Sequence, residues 1–142
     1  MVKQLIGRID KADFPLLGLY EIAVKIDTGA FTSSIHCVDV IEENDVLKCN
    51  FLDEEHPDYN GKPFVFQEYE TTMVKSSNGM VQKRYKIKTK IILFETTHDI
   101  YLTLSDREEM RFPVLLGRKF LNKKFIVDSS LTNLSYKRQL KK

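Results

Sequence analysis

The stretch Ala23-Val24-Lys25-Ile26-Asp27-Thr28-Gly29-Ala30 decides the fold of this chain. Tyr20, Ile22, Val24 and Ile26 fall on one face of a strand and Glu21, Ala23 and Lys25 on the other, the period of two that a half-buried strand requires. That strand runs directly into a carboxylate, a hydroxyl and a glycine. Such an ending presents Asp27 at the tip of a rigid element. Gly29 permits a sharp turn and close backbone approach, and the Thr28 hydroxyl can brace it. Taken alone, Asp27-Thr28-Gly29 also reads as an ordinary β-turn.

Outward from this stretch the same period recurs. Leu47, Cys49 and Phe51 alternate with polar neighbours, as do Ile100, Leu102 and Leu104. The longest run passes from Val81 through Tyr85, Ile87 and Ile91 to Leu93, with Gln82, Arg84, Lys86, Lys88 and Lys90 opposite, a half-buried strand with a basic outer face. Ser76-Ser77-Asn78-Gly79 separates Val74 from Met80-Val81, and Asn-Gly between strand residues signals a hairpin. The charged, turn-forming segment 53–63 reads as a loop. The one short helix expected follows Gly117, over about 118–122. The sequence shows no internal repeat long enough to alter the fold. Residues 1–142 therefore read as a single all-β domain, a length that sustains one core.

Hydrophobic residues at 42% and charged residues at 30% exclude a disordered chain. Met1-Val2-Lys3-Gln4-Leu5-Ile6-Gly7-Arg8 breaks into charge before a signal-peptide core forms, and no apolar run approaches the ~20 residues of a membrane span. The expected location is cytoplasmic, with no membrane partner. In that compartment Cys37 and Cys49 are expected free, Cys49 buried in a strand. Residues 1–72 hold 6 Lys+Arg against 14 Asp+Glu, a balance of −8, whereas residues 73–142 hold 16 against 6, a balance of +10. No recognisable binding motif surrounds the basic residues, so no nucleic-acid partner is expected.

Three ordered segments carry a resemblance. They are Asp27-Thr28-Gly29-Ala30, the hairpin at Ser76 to Gly79, and Phe112-Pro113-Val114-Leu115-Leu116-Gly117-Arg118-Lys119-Phe120-Leu121. In this order they resemble the retropepsins, the half-sized aspartic peptidases typified by retroviral proteases. The likeness is closer to a RimK-associated family that carries the name ATP-dependent zinc protease, and it runs from about Gly7 to Asp128. It includes Arg84, Leu102-Thr103-Leu104-Ser105-Asp106-Arg107 and Met110-Arg111. The resemblance implies a closed acid-protease-like (retropepsin) barrel with one short C-terminal helix. It implies Asp27, Thr28 and Gly29 as the catalytic loop, and Ser76, Ser77, Asn78, Gly79 and Arg84 as flap or substrate-binding residues. Asp106, Arg107, Leu116, Gly117 and Arg118 are implied as its structural support. Retroviral enzymes place an acid, partner to the helix Arg, where this chain has Phe31, and Asp106 is the substitute expected for Arg118. A second departure is Gly7-Arg8-Ile9-Asp10, where the family carries an aromatic.

Aspartic peptidases use two carboxylates at one site, and one Asp-Thr-Gly per chain implies that Asp27 meets Asp27 in a homodimer. Neither metal nor nucleotide is expected. His36, His56 and His98 lack the His-Glu-x-x-His spacing of zinc peptidases, and no phosphate-binding Gly-x-x-x-x-Gly-Lys loop exists. The expected substrate is a peptide or protein, acidic if Arg84, Lys86 and Lys88 face the cleft. Two other readings stand beside this one: a non-catalytic module that binds acidic peptides, and a zinc-dependent hydrolase built on His36-Cys37, Cys49 and Asp53-Glu54-Glu55-His56. Asp128-Ser129-Ser130 echoes Asp-Thr-Gly but lacks its glycine.

Overall fold

The computed structural model describes residues 2–52, 56, 59, 61–75, 79–106 and 112–141, without the side chains of Val74 and Lys75. The strands are β1 (Gln4–Ile6), β2 (Ile9–Phe14), β3 (Leu19–Ile26), β4 (Ser33–Glu43), β5 (Val46–Phe51), β6 (Phe64–Phe66), β7 (Glu70–Lys75), β8 (Val81–Leu93), β9 (Thr96–Ser105), β10 (Val114–Leu116) and β11 (Phe125–Val127). The described residues also form a 3-10 helix over Pro15–Leu17 and two α-helices, α1 (Arg118–Leu121) and α2 (Leu134–Leu140).

Strands β3, β2, β8, β9, β4 and β10 pair in that order, and β10 returns to β3, so six strands close a barrel. Closure removes the exposed edges that an open sheet would leave. Most pairings are antiparallel, but β10 runs parallel to β3 and β4 parallel to β9. The inward positions are those that alternation selects: Ile22, Val24 and Ile26 on β3, Ile87, Ile91 and Leu93 on β8, and Ile100, Leu102 and Leu104 on β9 are all buried. Each such side chain contributes about 1.5–3 kcal/mol of burial. The expected all-β barrel with a short helix after Gly117 is the fold observed.

Tyr20 departs from its expected inward position and is 56% exposed. Glu21 adopts φ 52, and the β2–β3 register shifts between Ala12 and Phe14. That irregularity turns the preceding residues over, so Leu19 is buried in place of Tyr20. The Asp13 carboxylate accepts the Glu21 N–H at 2.8 Å and holds the bulge. Val81, the outer end of the long strand, is also exposed because β8 there pairs only with β7.

The β7–β8 hairpin pairs Glu70 with Lys86 through Lys75 with Val81, and β9 joins β8 only from Lys86 onward. The outer hairpin is therefore two strands wide. Its base is tied to β4: the Glu42 carboxylate accepts from Tyr69 Oη at 2.5 Å, Lys83 Nζ at 2.6 Å and Tyr85 Oη at 3.2 Å.

α2 lies outside the expectation drawn from sequence. Its first turn is capped from β2 by Asp10, 1% exposed, whose carboxylate accepts the N–H groups of Ser135 at 2.9 Å and Tyr136 at 3.1 Å. Both carboxylate oxygens are thereby occupied, which makes a buried acid tolerable. No helix among the described residues is long and apolar enough to cross a membrane.

Candidate active site

Asp27 emerges where β3 leaves the barrel wall. Its N–H donates to Leu116 O at 2.9 Å, continuing the parallel β3–β10 pairing by one residue. Its Oδ1 accepts the Gly29 N–H at 3.0 Å, and its carbonyl accepts the Ala30 N–H at 3.2 Å, which closes the turn. The Asp27 side chain is half-buried while Thr28 and Gly29 are exposed, so the loop presents its tip outward.

The returning chain clamps this loop. A Cβ on Gly117 would lie 2.4 Å from Thr32 O and 2.9 Å from Ala30 O, so only glycine allows the two backbones to cross this closely. The Gly117 N–H donates to Ser33 Oγ at 3.0 Å, and the Arg118 and Lys119 N–H groups donate to Ala30 O and Phe31 O, both at 2.9 Å. Arg118 Nη1 then reaches back to Thr28 O at 3.0 Å, and its guanidinium lies 5.8 Å from the centre of the Phe31 ring. Three carbonyls and an aromatic face thus hold the Asp27 turn against α1.

The same construction recurs at the other end of the chain. Here β1 runs parallel to β11, and Asp128 follows β11 as Asp27 follows β3. The Asp128 N–H donates to Ile6 O at 2.9 Å, its Oδ1 accepts the Ser130 N–H at 2.9 Å, and its carbonyl accepts the Leu131 N–H at 3.2 Å. A Cβ on Gly7 would lie 2.2 Å from Leu131 O; Arg8 N–H donates to Leu131 O at 2.8 Å, and Arg8 Nη1 donates to Ser129 O at 3.2 Å. Leu5-Ile6-Gly7-Arg8 therefore does for Asp128 what Leu115-Leu116-Gly117-Arg118 does for Asp27. The two units adjoin, since Ile26 N–H donates to Arg8 O at 2.9 Å. In the second loop Ser130 Oγ also donates to Asp128 Oδ1 at 2.6 Å, and these donors hold the Asp128 carboxyl below its ordinary value. The shared apolar-apolar-Gly-Arg signal was present in the sequence, but it is four residues long and its partner segment lies 121 residues away.

A family model described as the retropepsin-like aspartic endopeptidase RimB matches residues 5–138. The chain belongs to the RimB-like family. It is also 34% identical over 132 residues to a probable alpha-L-glutamate ligase of Shewanella halifaxensis, covering 90% of this chain and 29% of the ligase. A second probable alpha-L-glutamate ligase, from Desulfotalea psychrophila, is 33% identical over 150 residues, covering 92% of this chain and 29% of the ligase. This chain therefore spans under a third of the length of those relatives. Among solved structures, a protein of unknown function from Legionella pneumophila aligns with a TM-score of 0.71 at 25% identity, covering 94% of this chain and 99% of that one.

In this RimB-like chain the other expected site residues are placed unevenly. Leu116 meets Asp27 and Arg118 meets Thr28 directly, Gly117 crosses the same loop at Ala30 and Thr32, and Gly29 is held by Asp27 Oδ1. Gly79 sits in the β7–β8 connection with φ +85, as the hairpin requires, while Ser76, Ser77 and Asn78 lie outside the described residues. Arg84 pairs with Thr72 on the hairpin and is half-buried. Asp106 is exposed and is not the partner of Arg118, which is bound by the Thr28 carbonyl and faced by Phe31; Arg107 lies outside the described residues.

Of the donors the zinc reading would use, Asp53, Glu54 and Glu55 lie outside the described residues. Among the described residues no three His, Cys, Asp or Glu side chains converge as a metal site. Cys37 and Cys49 are both buried and unoxidised, and the hydrogen bond between them together with burial pushes the Cys37 thiol far up.

Proposed function

We propose that this chain is an aspartic endopeptidase that acts as a homodimer, with Asp27 of each copy supplying one carboxylate. The observation that carries the reading is the rigid presentation of Asp27. One oxygen is fixed by the Gly29 N–H, the backbone is continued onto β10, and the turn is clamped by Arg118. Membership in a family of retropepsin-like endopeptidases supports the same reading. The exposure of Thr28 and Gly29 on a single copy fits a loop that a second copy would cover.

Two carboxylates at one centre share a proton, because both cannot carry charge at that separation. The ionised one takes a proton from water as the water oxygen adds to the scissile carbonyl carbon. The protonated one donates to the carbonyl oxygen. Collapse of the tetrahedral adduct expels the amine, which leaves with a proton from the dyad. The β7–β8 hairpin would close over an extended substrate and pair with it as an added strand. Acidic peptides are the favoured substrates, given the basic second half of the chain and its likeness to part of proteins named glutamate ligases.

The deciding experiment incubates purified protein with an unbiased peptide library and reads new termini by mass spectrometry, beside an Asp27→Asn control. Cleavage by wild type alone is expected. Cleavage by both proteins removes Asp27 from the mechanism, and no cleavage by a dimeric wild type leaves the module that binds without cutting.

A further inference from the structure

Residues 7 and 8 lie in a gap between strands, since β1 ends at Ile6 and β2 begins at Ile9. Arg8 is held there by bonds in two directions. Its carbonyl accepts the Ile26 N–H at 2.9 Å, one residue before Asp27. Its own N–H donates to Leu131 O at 2.8 Å, and its guanidinium donates to Ser129 O at 3.2 Å. One residue therefore couples the end of β3 to the loop that follows Asp128. The other flank of β3 is held separately, where Leu116 O accepts the Asp27 N–H at 2.9 Å.

The loop that anchors Arg8 takes its shape from a carboxylate. Asp128 Oδ1 accepts from the Ser130 N–H at 2.9 Å and from Ser130 Oγ at 2.6 Å, and the Asp128 carbonyl accepts the Leu131 N–H at 3.2 Å. Asp128, Ser129 and Ser130 are exposed, so hydrogen bonds rather than packing set this turn. Gly7 crosses it so closely that a Cβ would lie 2.2 Å from Leu131 O. Beyond the turn, the Asn133 N–H donates to Ile9 O at 2.8 Å and ties the following chain to the start of β2. Contacts this close transmit displacement from one backbone to the next. Hydrolysis by a pair of Asp27 carboxylates uses none of these groups, yet it depends on where Asp27 stands. A misplacement of ~1 Å costs on the order of 10²-fold in rate.

We propose that Asp128 is a positioning residue for Asp27, its loop acting through the Arg8 backbone to fix the end of β3 on the flank away from β10. The consequence for turnover rests on the peptidase reading. The link from Asp128 through Arg8 to Ile26 does not, and it can be read without any cleavage.

The test compares the full chain with Asp128→Ala, which removes an acceptor from an exposed loop and spares the crowded crossing at Gly7. Amide hydrogen exchange followed by NMR should show the Ile26 and Arg8 amides losing protection about tenfold, while amides of β8 and β9 keep theirs. Asp128→Asn retains an oxygen that accepts from Ser130 and should restore most of that protection. In peptide cleavage, Asp128→Ala should lower kcat about tenfold and leave KM within about twofold. Adding Arg8→Ala to Asp128→Ala should cost less than the product of the two single losses, because both act through one network. Unchanged protection at Ile26, an even loss of protection across the barrel, or lost protection at Ile26 with undiminished kcat overturns the proposal. A wild type that cleaves nothing sinks the peptidase reading alone, and the exchange measurement then decides the link from Asp128 to Ile26 by itself.

Discussion

At the residue scale, the candidate chemistry depends on a carboxylate oxygen that already has a donor. Asn at position 27 can still accept from the Gly29 N–H through its own oxygen, so Asp27→Asn should leave the melting temperature nearly unchanged while abolishing peptide cleavage. A comparison of turnover with thermal melts checks both halves of that expectation. Gly117→Ala meets backbone at 2.4 Å and Gly7→Ala meets it at 2.2 Å, neither of which a rotamer change can relieve. Each should cost about 1–3 kcal/mol in urea unfolding, and failure to fold would be an extreme of the same effect. The Asp27 tripeptide was legible from sequence because its three residue types have strong local meaning. The Arg118 partner was not. A guanidinium can satisfy itself on a carboxylate, a carbonyl or a ring, and only the path of the 27–32 loop selects among them.

At the element scale, the β7–β8 hairpin is tied at its base by one carboxylate. Glu42 is held below its ordinary value of 4.5, first by the hydrogen bond from Lys83 and then by that from Tyr69, whose own hydroxyl is pushed up to about 12. A carboxyl depressed in the folded state contributes fully above its unfolded value and loses that contribution as pH falls through the folded one. The protection of the β7 amides, measured relative to intrinsic exchange at each pH, should therefore fall as pH drops below about 4.5, and Glu42→Gln should remove that dependence. The hairpin itself was legible from Asn78-Gly79 between alternating strands. α2 was not, since a seven-residue helix has little independent stability and its cap comes from Asp10, 125 residues away. Asp10→Ala should cost about 1–2 kcal/mol and deprotect the Ser135 and Tyr136 amides first.

At the scale of the whole molecule, the proposed aspartic mechanism would draw the second carboxylate of its centre from a second copy, since the chain holds a single Asp-Thr-Gly. Specific activity should accordingly rise with protein concentration and level off as dimer saturates, which sedimentation at the assay concentrations can check. Activity that is independent of concentration in a monomer would move attention to Asp128, a second carboxylate built into the same loop geometry. The sequence by itself determined the strand period, the inward residues of β8 and β9, the strand that ends in Asp27 and the glycine-to-helix turn at 117. These are local properties, because side chains alternate along a strand whatever lies beside it. Tertiary structure alone decided that Leu115-Leu116-Gly117-Arg118 would clamp Asp27 while Leu5-Ile6-Gly7-Arg8 clamps Asp128, contacts that span 90 and 121 residues. It also decided that lysines from β8 and α1 would gather around Tyr101. Such meetings follow from how the barrel closes, and closure depends on the pairing of all its strands at once, which no single segment encodes.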